Sequence, residues 1–184
     1  MTEAELERLG THGWFQRSAF EGATRAAEVV VDRGRLFVPA GISRGHEVDV
    51  GVRDDTRLWV DTEDAQLQQL VGAFEALRVE INASAWLGLT RFELQLARFE
   101  AGGRYVRHRD ALVGQNNRRV TAIAYLNPAW TPKDGGQLRL YAEPTIDIAP
   151  ELGRLVVFMS ERIEHEVLPS LATRFAATAW YYGC

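Results

Sequence analysis

His108-Arg109-Asp110 places an imidazole and a carboxylate two residues apart, and His165 supplies a second imidazole much later in the chain. On an extended segment, residues two apart share a face, so His108 and Asp110 can reach one ion together. His165 then arrives from a different strand. Two imidazoles and a carboxylate, with no thiolate, suit Fe(II) and leave positions open for a co-substrate and dioxygen. Zn(II), Mn(II) and Co(II) fit the same ligands. Alone, His-x-Asp is a weak signal, because any surface strand can carry it, and His165 can equally be a surface or satisfied core imidazole. His12 and His46 lack any such partner pattern.

Arg174 adds a second kind of chemistry. In the strand-like run Arg174-Phe175-Ala176-Ala177-Thr178-Ala179-Trp180, residues 174, 176, 178 and 180 share a face: a cation, two small side chains and an aromatic wall. A lone Arg on an apolar inner face is costly to bury. A bound dicarboxylate supplies a partner, since guanidinium grips carboxylate through two parallel hydrogen bonds. The plain alternative is an Arg at a strand mouth reaching solvent or a nearby Glu. Tyr125 alternates to one side with Thr121 and Ile123, and a buried phenol needs a polar partner. That partner can be the same ligand or a backbone group.

These residues need a scaffold, and the rest of the chain reads as one. Its 184 residues suit one domain (1–184), with helical support to about residue 90 and a β core beyond. Net charge is −4, without a long basic run, so nucleic acid is not an expected partner. Cys184, the one cysteine, excludes an internal disulfide. The acidic first seven residues lack signal-peptide order, and no apolar run is long enough to span a bilayer. The expectation is a soluble, cytoplasmic protein with no membrane partner; nothing in the chain sets an oligomeric state.

The first third reads as helical, with short helices over residues 2–9 and 22–32. Leu67, Leu70, Val71, Phe74 and Leu77 recur at three- and four-residue spacing, predicting a helix to about Leu87 that backs a sheet. Asp61, Thr62 and Asp64 are candidate caps for its start. Residues 40–59, rich in Gly, Asp and Arg, suit a mobile loop or a short hairpin. From Phe92 the pattern becomes short strands with turns between them, over 93–100, 119–126, 137–141, 154–159, 165–167 and 174–182. The fold class is mainly β with flanking helices, a barrel or jelly roll.

Four segments carry a family resemblance: Tyr105-Val106-Arg107-His108-Arg109-Asp110; Tyr125-Leu126-Asn127; Gly135-Gly136-Gln137-Leu138-Arg139-Leu140; and His165-Glu166-Val167 through Pro169 to Ala172-Thr173-Arg174. Together they resemble the 2-oxoglutarate- and Fe(II)-dependent prolyl 4-hydroxylases, particularly the oxygen-sensing branch acting on hypoxia-inducible factor and its bacterial relatives. The resemblance runs from about Phe92 to Tyr182, and more loosely back through Trp59.

It implies a double-stranded β-helix of jelly-roll, cupin-like form. It also implies Fe(II) held by His108, Asp110 and His165, with 2-oxoglutarate and O2 as co-substrates and ascorbate as an in vitro reductant. Arg174 and Tyr125 would take the distal carboxylate of 2-oxoglutarate. Thr178 would line the metal pocket and Trp180 the substrate side. Residues 41–57 would close over a peptide substrate, with Arg53, Asp54 and Trp59 at the loop's end. Two departures stand out: Phe99 replaces a family tyrosine, removing a polar contact to the co-substrate, and the turn Glu100-Ala101-Gly102-Gly103 is one residue short.

The implied activity is oxidative: 2-oxoglutarate is converted to succinate and CO2 as a substrate proline, within a protein or peptide, is hydroxylated. A hydroxylase of a free amino acid or other small molecule would use the same iron chemistry. A non-enzymatic binding or sensing module would keep the fold without turnover; Phe99 favours it, and the retained ligand set with Arg174 opposes it.

Overall fold

A computed structural model of the chain describes residues 1–41, 49, 51–111 and 118–183. His46 and Cys184 therefore lie outside the described residues, as do 42–48 and 50 of the expected closing loop. Three helices form: α1 (Glu3–Thr11), α2 (Ala23–Asp32) and α3 (Gln68–Ala85). Thr2 caps α1 through a reciprocal pair, its hydroxyl accepting from Glu5 N–H while the Glu5 carboxylate accepts from Thr2 N–H. The predicted stripe on α3 is buried at Leu70, Val71, Phe74, Leu77 and Ile81.

The cap of α3 differs from expectation. The helix begins at Gln68, and Leu67 at its N-cap makes no side-chain bond. Asp64 instead closes the preceding turn, its carboxylate accepting from Gln66 N–H and pairing with Arg33. The carboxylate thus fixes the approach to the helix rather than its first turn.

Among the described residues, eleven strands build two sheets: β1 (Trp14–Arg17), β2 (Val38–Pro39), β3 (Thr56–Trp59), β4 (Leu89–Phe99), β5 (Tyr105–His108), β6 (Arg118–Tyr125), β7 (Leu138–Leu140), β8 (Ile146–Ile148), β9 (Leu155–Met159), β10 (His165–Val167) and β11 (Arg174–Gly183). The larger sheet runs β1-β9-β6-β11-β4-β3-β2 and the smaller runs β5-β10-β7-β8. Two of these strands, β1 and β2, lie in the stretch that reads as helical, and β3 lies in the expected loop or hairpin. Each is four residues or fewer, too short to show a period, and takes its form from pairing: β1 with β9, β2 with β3, β3 with β4. The β2–β3 pairing makes the base of residues 40–59 a hairpin.

The large sheet has two unlike faces because successive side chains alternate. Leu94, Leu96, Ala177, Ala179 and Tyr181 face the helices and pack with Phe74, Leu77 and Ile81. Ala97, Phe99, Ile123, Tyr125 and Ala176 face inward and pack with Leu138, Leu140 and Val167 of the smaller sheet. This is the double-stranded β-helix, with helices on the outside. No helix among the described residues is long and apolar enough to cross a membrane.

The helical layer depends on Gly22, whose φ is 78° and whose added Cβ would lie 2.5 Å from the Leu70 backbone nitrogen. Gly22→Ala is expected to lower stability by about 2–4 kcal/mol, combining backbone strain with overpacking between α2 and α3. Urea unfolding of the two proteins measures the difference.

Candidate active site

β5 and β10 pair antiparallel with His108 directly opposite His165. Their rings sit 4.2 Å apart between centroids. Asp110, two residues past His108, brings its carboxylate oxygens to 3.6 Å from His108 Nε2 and 3.8 Å from His165 Nε2. All three ligand atoms lie within 4.8 Å of one another. Ligands about 2.1 Å from a shared ion lie up to about 4.2 Å apart, so this cluster needs little closure to hold one. The donor set, two imidazoles and one carboxylate, fits Fe(II).

Neighbouring groups fix which atoms remain free. His108 Nδ1 lies 2.8 Å from the Val106 carbonyl oxygen, which only accepts; Nδ1 therefore carries the proton and Nε2 presents a lone pair. His165 has the same relation to Ile163 at a longer 3.4 Å. Thr121 donates to Asp110 Oδ2 at 2.7 Å. Its hydroxyl proton being spent, the 2.9 Å contact with Ser160 Oγ must be a donation from Ser160. Burial lowers the His165 imidazole to about 4, against the raising effect of Asp110. Burial alone would raise the Asp110 carboxyl, but His165, His108 and Thr121 hold it well below the usual carboxylate range. Near pH 7, a neutral His165 thus faces an ionised Asp110.

Arg174 starts β11 opposite Phe99 and is 2% exposed. Its Nε donates to the Gly136 carbonyl at 2.8 Å. No described carboxylate forms an ion pair with it, so the solvent-reaching alternative does not hold. Burial lowers its guanidinium, offset by Tyr125 and Asp55. Tyr125, fully buried at the end of β6, has a hydroxyl with no hydrogen bond among the described residues. Burial pushes that phenol up to about 12, although the nearby Arg174 charge acts the other way. Among the described residues, a buried cation without an ion-pair partner beside a phenol without a hydrogen bond is an arrangement that could hold one carboxylate of a dicarboxylate. Phe99 adds an apolar wall, its ring centroid 5.2 Å from the Arg174 guanidinium carbon.

The remaining predicted residues flank this pocket. Thr178 and Trp180 lie on the inner face of β11, and Trp180 pairs in register with Thr121. Trp59, 45% exposed, packs against Trp180 with ring centroids 5.8 Å apart. Asp54 is exposed, its N–H bonded to the Arg104 carbonyl. Arg53 is tied to buried Asp55 by two 2.7 Å bonds. Its guanidinium carbon lies 4.4 Å from the Tyr105 ring centroid, and that ring stacks on His108 at 3.6 Å. Arg53 therefore reaches the metal cluster through Tyr105.

Three neighbours of the cluster escaped the sequence reading: Tyr105, Thr121 and Ser160. Thr121 alternates with Tyr125 along β6, which was a usable signal; Ser160 carries none.

Gly136 has φ 64°, and an added Cβ would lie 3.0 Å from Arg174 Cδ. Gly136→Ala is therefore expected to displace Arg174 and, where that guanidinium holds a dicarboxylate, to weaken its binding about tenfold or more; isothermal titration of the metal-loaded protein reads it. The metal-free protein should also lose stability in acid. An unfolded His takes a proton as pH falls through 6.5, but His165 resists until about 4. Falling pH thus favours unfolding, by about 2 kcal/mol between pH 7 and pH 5 from this group. Urea midpoints at the two values test this, and His165→Gln should flatten the difference.

Residues 94–182 match the model of the 2OG-Fe(II) oxygenase superfamily. The hypoxia-inducible factor prolyl hydroxylase of Caenorhabditis elegans is 31% identical over 98% of this chain, which spans 28% of that relative's length. A prolyl-4-hydroxylase structure from Pseudomonas putida is 34% identical, with a TM-score of 0.86 and 98% of both chains covered. A Trichoplax adhaerens prolyl hydroxylase, solved with a hypoxia-inducible factor oxygen-degradation-domain peptide fragment, is 27% identical, with a TM-score of 0.86, covering 97% of this chain and 87% of that one. With the ligand cluster and the dicarboxylate pocket set by these strands, the chain belongs to the 2OG-Fe(II) oxygenase superfamily.

Proposed function

We propose that this protein is a prolyl 4-hydroxylase acting on a protein or peptide. The observation that carries the reading is the buried Arg174 guanidinium, without a carboxylate among the described residues, next to the Tyr125 hydroxyl on the inner face of the large sheet, while the metal cluster sits on the smaller sheet across the interior. Bound Fe(II) and 2-oxoglutarate supply the oxidation: dioxygen and 2-oxoglutarate yield succinate, CO2 and one oxygen atom inserted into a substrate C–H bond.

The chain's own part is to hold, orient and enclose. His108, Asp110 and His165 would hold the metal, with Val106 and Thr121 fixing two of them. Arg174 and Tyr125 would grip the distal carboxylate of 2-oxoglutarate, which sets the direction from which its other end meets the metal. Phe99, Ala176 and Ile123 keep water from the interior. Trp59 and Trp180 would line the open side, where Thr178 also faces inward, and the segment around Arg53 and Asp54 borders it. The peptide-bound Trichoplax relative supports an extended chain as occupant of that side.

His108→Ala is expected to abolish turnover. Arg174→Ala should raise the KM for 2-oxoglutarate roughly a hundredfold by leaving its carboxylate unpaired. Succinate release, assayed against 2-oxoglutarate concentration, separates the two; unchanged turnover in both variants would overturn the site. The substrate is tested by incubating a cell lysate with the protein, Fe(II), ascorbate and 2-oxoglutarate. Mass spectrometry should find one added oxygen on proline residues, dependent on 2-oxoglutarate. Succinate formation without any modified peptide would point to a small-molecule substrate instead.

A further inference from the structure

Two polar side chains on the inner face of the large sheet have no partner among the described residues and belong to neither the metal cluster nor the Arg174 pocket. Gln95 on β4 is 3% exposed, and its carboxamide, not wholly shut off from solvent, bonds to no described residue. The Trp180 indole N–H on β11 is enclosed without an acceptor among the described residues. Buried polar groups ordinarily find partners, so each exception calls for an explanation.

Their placement suggests one. Gln95 lies in register between Trp59 on β3 and Thr178 on β11. Trp180 lies beside Thr121, whose hydroxyl bonds Asp110. Both share a face with Ala97, Phe99 and Ala176, which pack into the interior between the sheets. The two groups therefore sit on the floor between exposed Trp59 and the metal cluster, where a substrate would lie.

Their chemistry narrows the ligand. An indole N–H only donates, and a carboxamide offers two further donors. Donors side by side match a ligand rich in carbonyl oxygens and poor in N–H groups. An internal Xaa–Pro unit is such a ligand: it presents the carbonyls of both residues, and its proline has no N–H. A free amino acid would bring an ammonium group instead. The carboxylate in register with Trp180, Glu93, is already engaged by Tyr182 and Arg91.

We propose that Gln95 Nε2–H and Trp180 Nε1–H bind the two carbonyls flanking the target proline, selecting internal Xaa–Pro over free proline. This rests on the prolyl hydroxylase reading. The test uses short N-acetylated, C-amidated peptides, each with one internal proline and varied flanks, alongside free L-proline. Wild type is compared with Gln95→Met and Gln95→Glu, which match glutamine in size while removing its donors, and with Trp180→Phe, a smaller ring without the N–H.

Each variant should raise the peptide KM by about 5- to 30-fold, the loss of one buried hydrogen bond, with a smaller change in kcat. Affinity for 2-oxoglutarate, titrated without peptide, should stay at the wild-type value. Replacing the carbonyl before proline by a thiocarbonyl, a weaker acceptor, should penalise wild type more than the variants. Unchanged peptide KM in all three variants overturns the inference while leaving the hydroxylase reading intact. Weakened 2-oxoglutarate binding by Gln95→Met also overturns it, assigning the carboxamide to the co-substrate. Hydroxylation of free proline but of no peptide overturns both.

Discussion

The register of β11 is the constraint on which both halves of the molecule depend. This strand is hydrogen-bonded along most of its length to β4 on one side and β6 on the other. Its odd-numbered residues Ala177, Ala179 and Tyr181 complete the core beneath the helices, while Arg174, Ala176, Thr178 and Trp180 face the interior between the sheets. A slip of one residue would exchange the two sets, sending a guanidinium into the helical core and a tyrosine into the pocket. Tyr181 resists the slip: its hydroxyl donates to the Phe74 carbonyl in α3 at 2.8 Å. Stability of the outer layer and position of the inner cation are thus two consequences of the same pairing.

Within the interior, protons are assigned before any ligand arrives. Carbonyl oxygens orient the imidazoles, most firmly at His108. Ser160 donates to Thr121, which donates to Asp110, so the carboxylate is held by a chain of hydrogen bonds running one way. At the opposite end, the Gly136 carbonyl holds Arg174 by Nε. Such preorganisation reduces the rearrangement needed on binding. The Arg53–Tyr105–His108 stack extends the support outward, joining a metal-ligand candidate to the chain beside the substrate side.

Much of this was legible from the sequence, for reasons that differ by element. Helix α3 declared itself through a repeated apolar stripe, and β11 through alternation around Arg174. The ligand candidates, a weak signal as His-x-Asp alone, gained weight from the later His165 and from Arg174. The resemblance of the flanking segments then linked sites far apart in the chain. What stayed hidden was set by tertiary pairing: β1 is a strand because β9 offers an edge, not because four residues have a period. Asp64 was readable as a capping residue but not as the closer of the turn before the helix, since Arg33 draws it there from elsewhere in the sequence. Gln95 reads as an ordinary strand residue until Trp59 and Thr178 are seen on either side of it.

β5 is an outermost strand of the smaller sheet, and outermost strands invite pairing with other chains. Here the backbone of the preceding segment covers part of that edge: the Val52 carbonyl accepts from Val106 N–H, and Asp54 N–H donates to the Arg104 carbonyl. The chain that carries Arg53 and Asp54 is therefore also a guard against self-association. Shortening or replacing it to change selectivity would bare unsatisfied backbone groups beside the metal cluster, and loss of solubility would accompany any gain in scope.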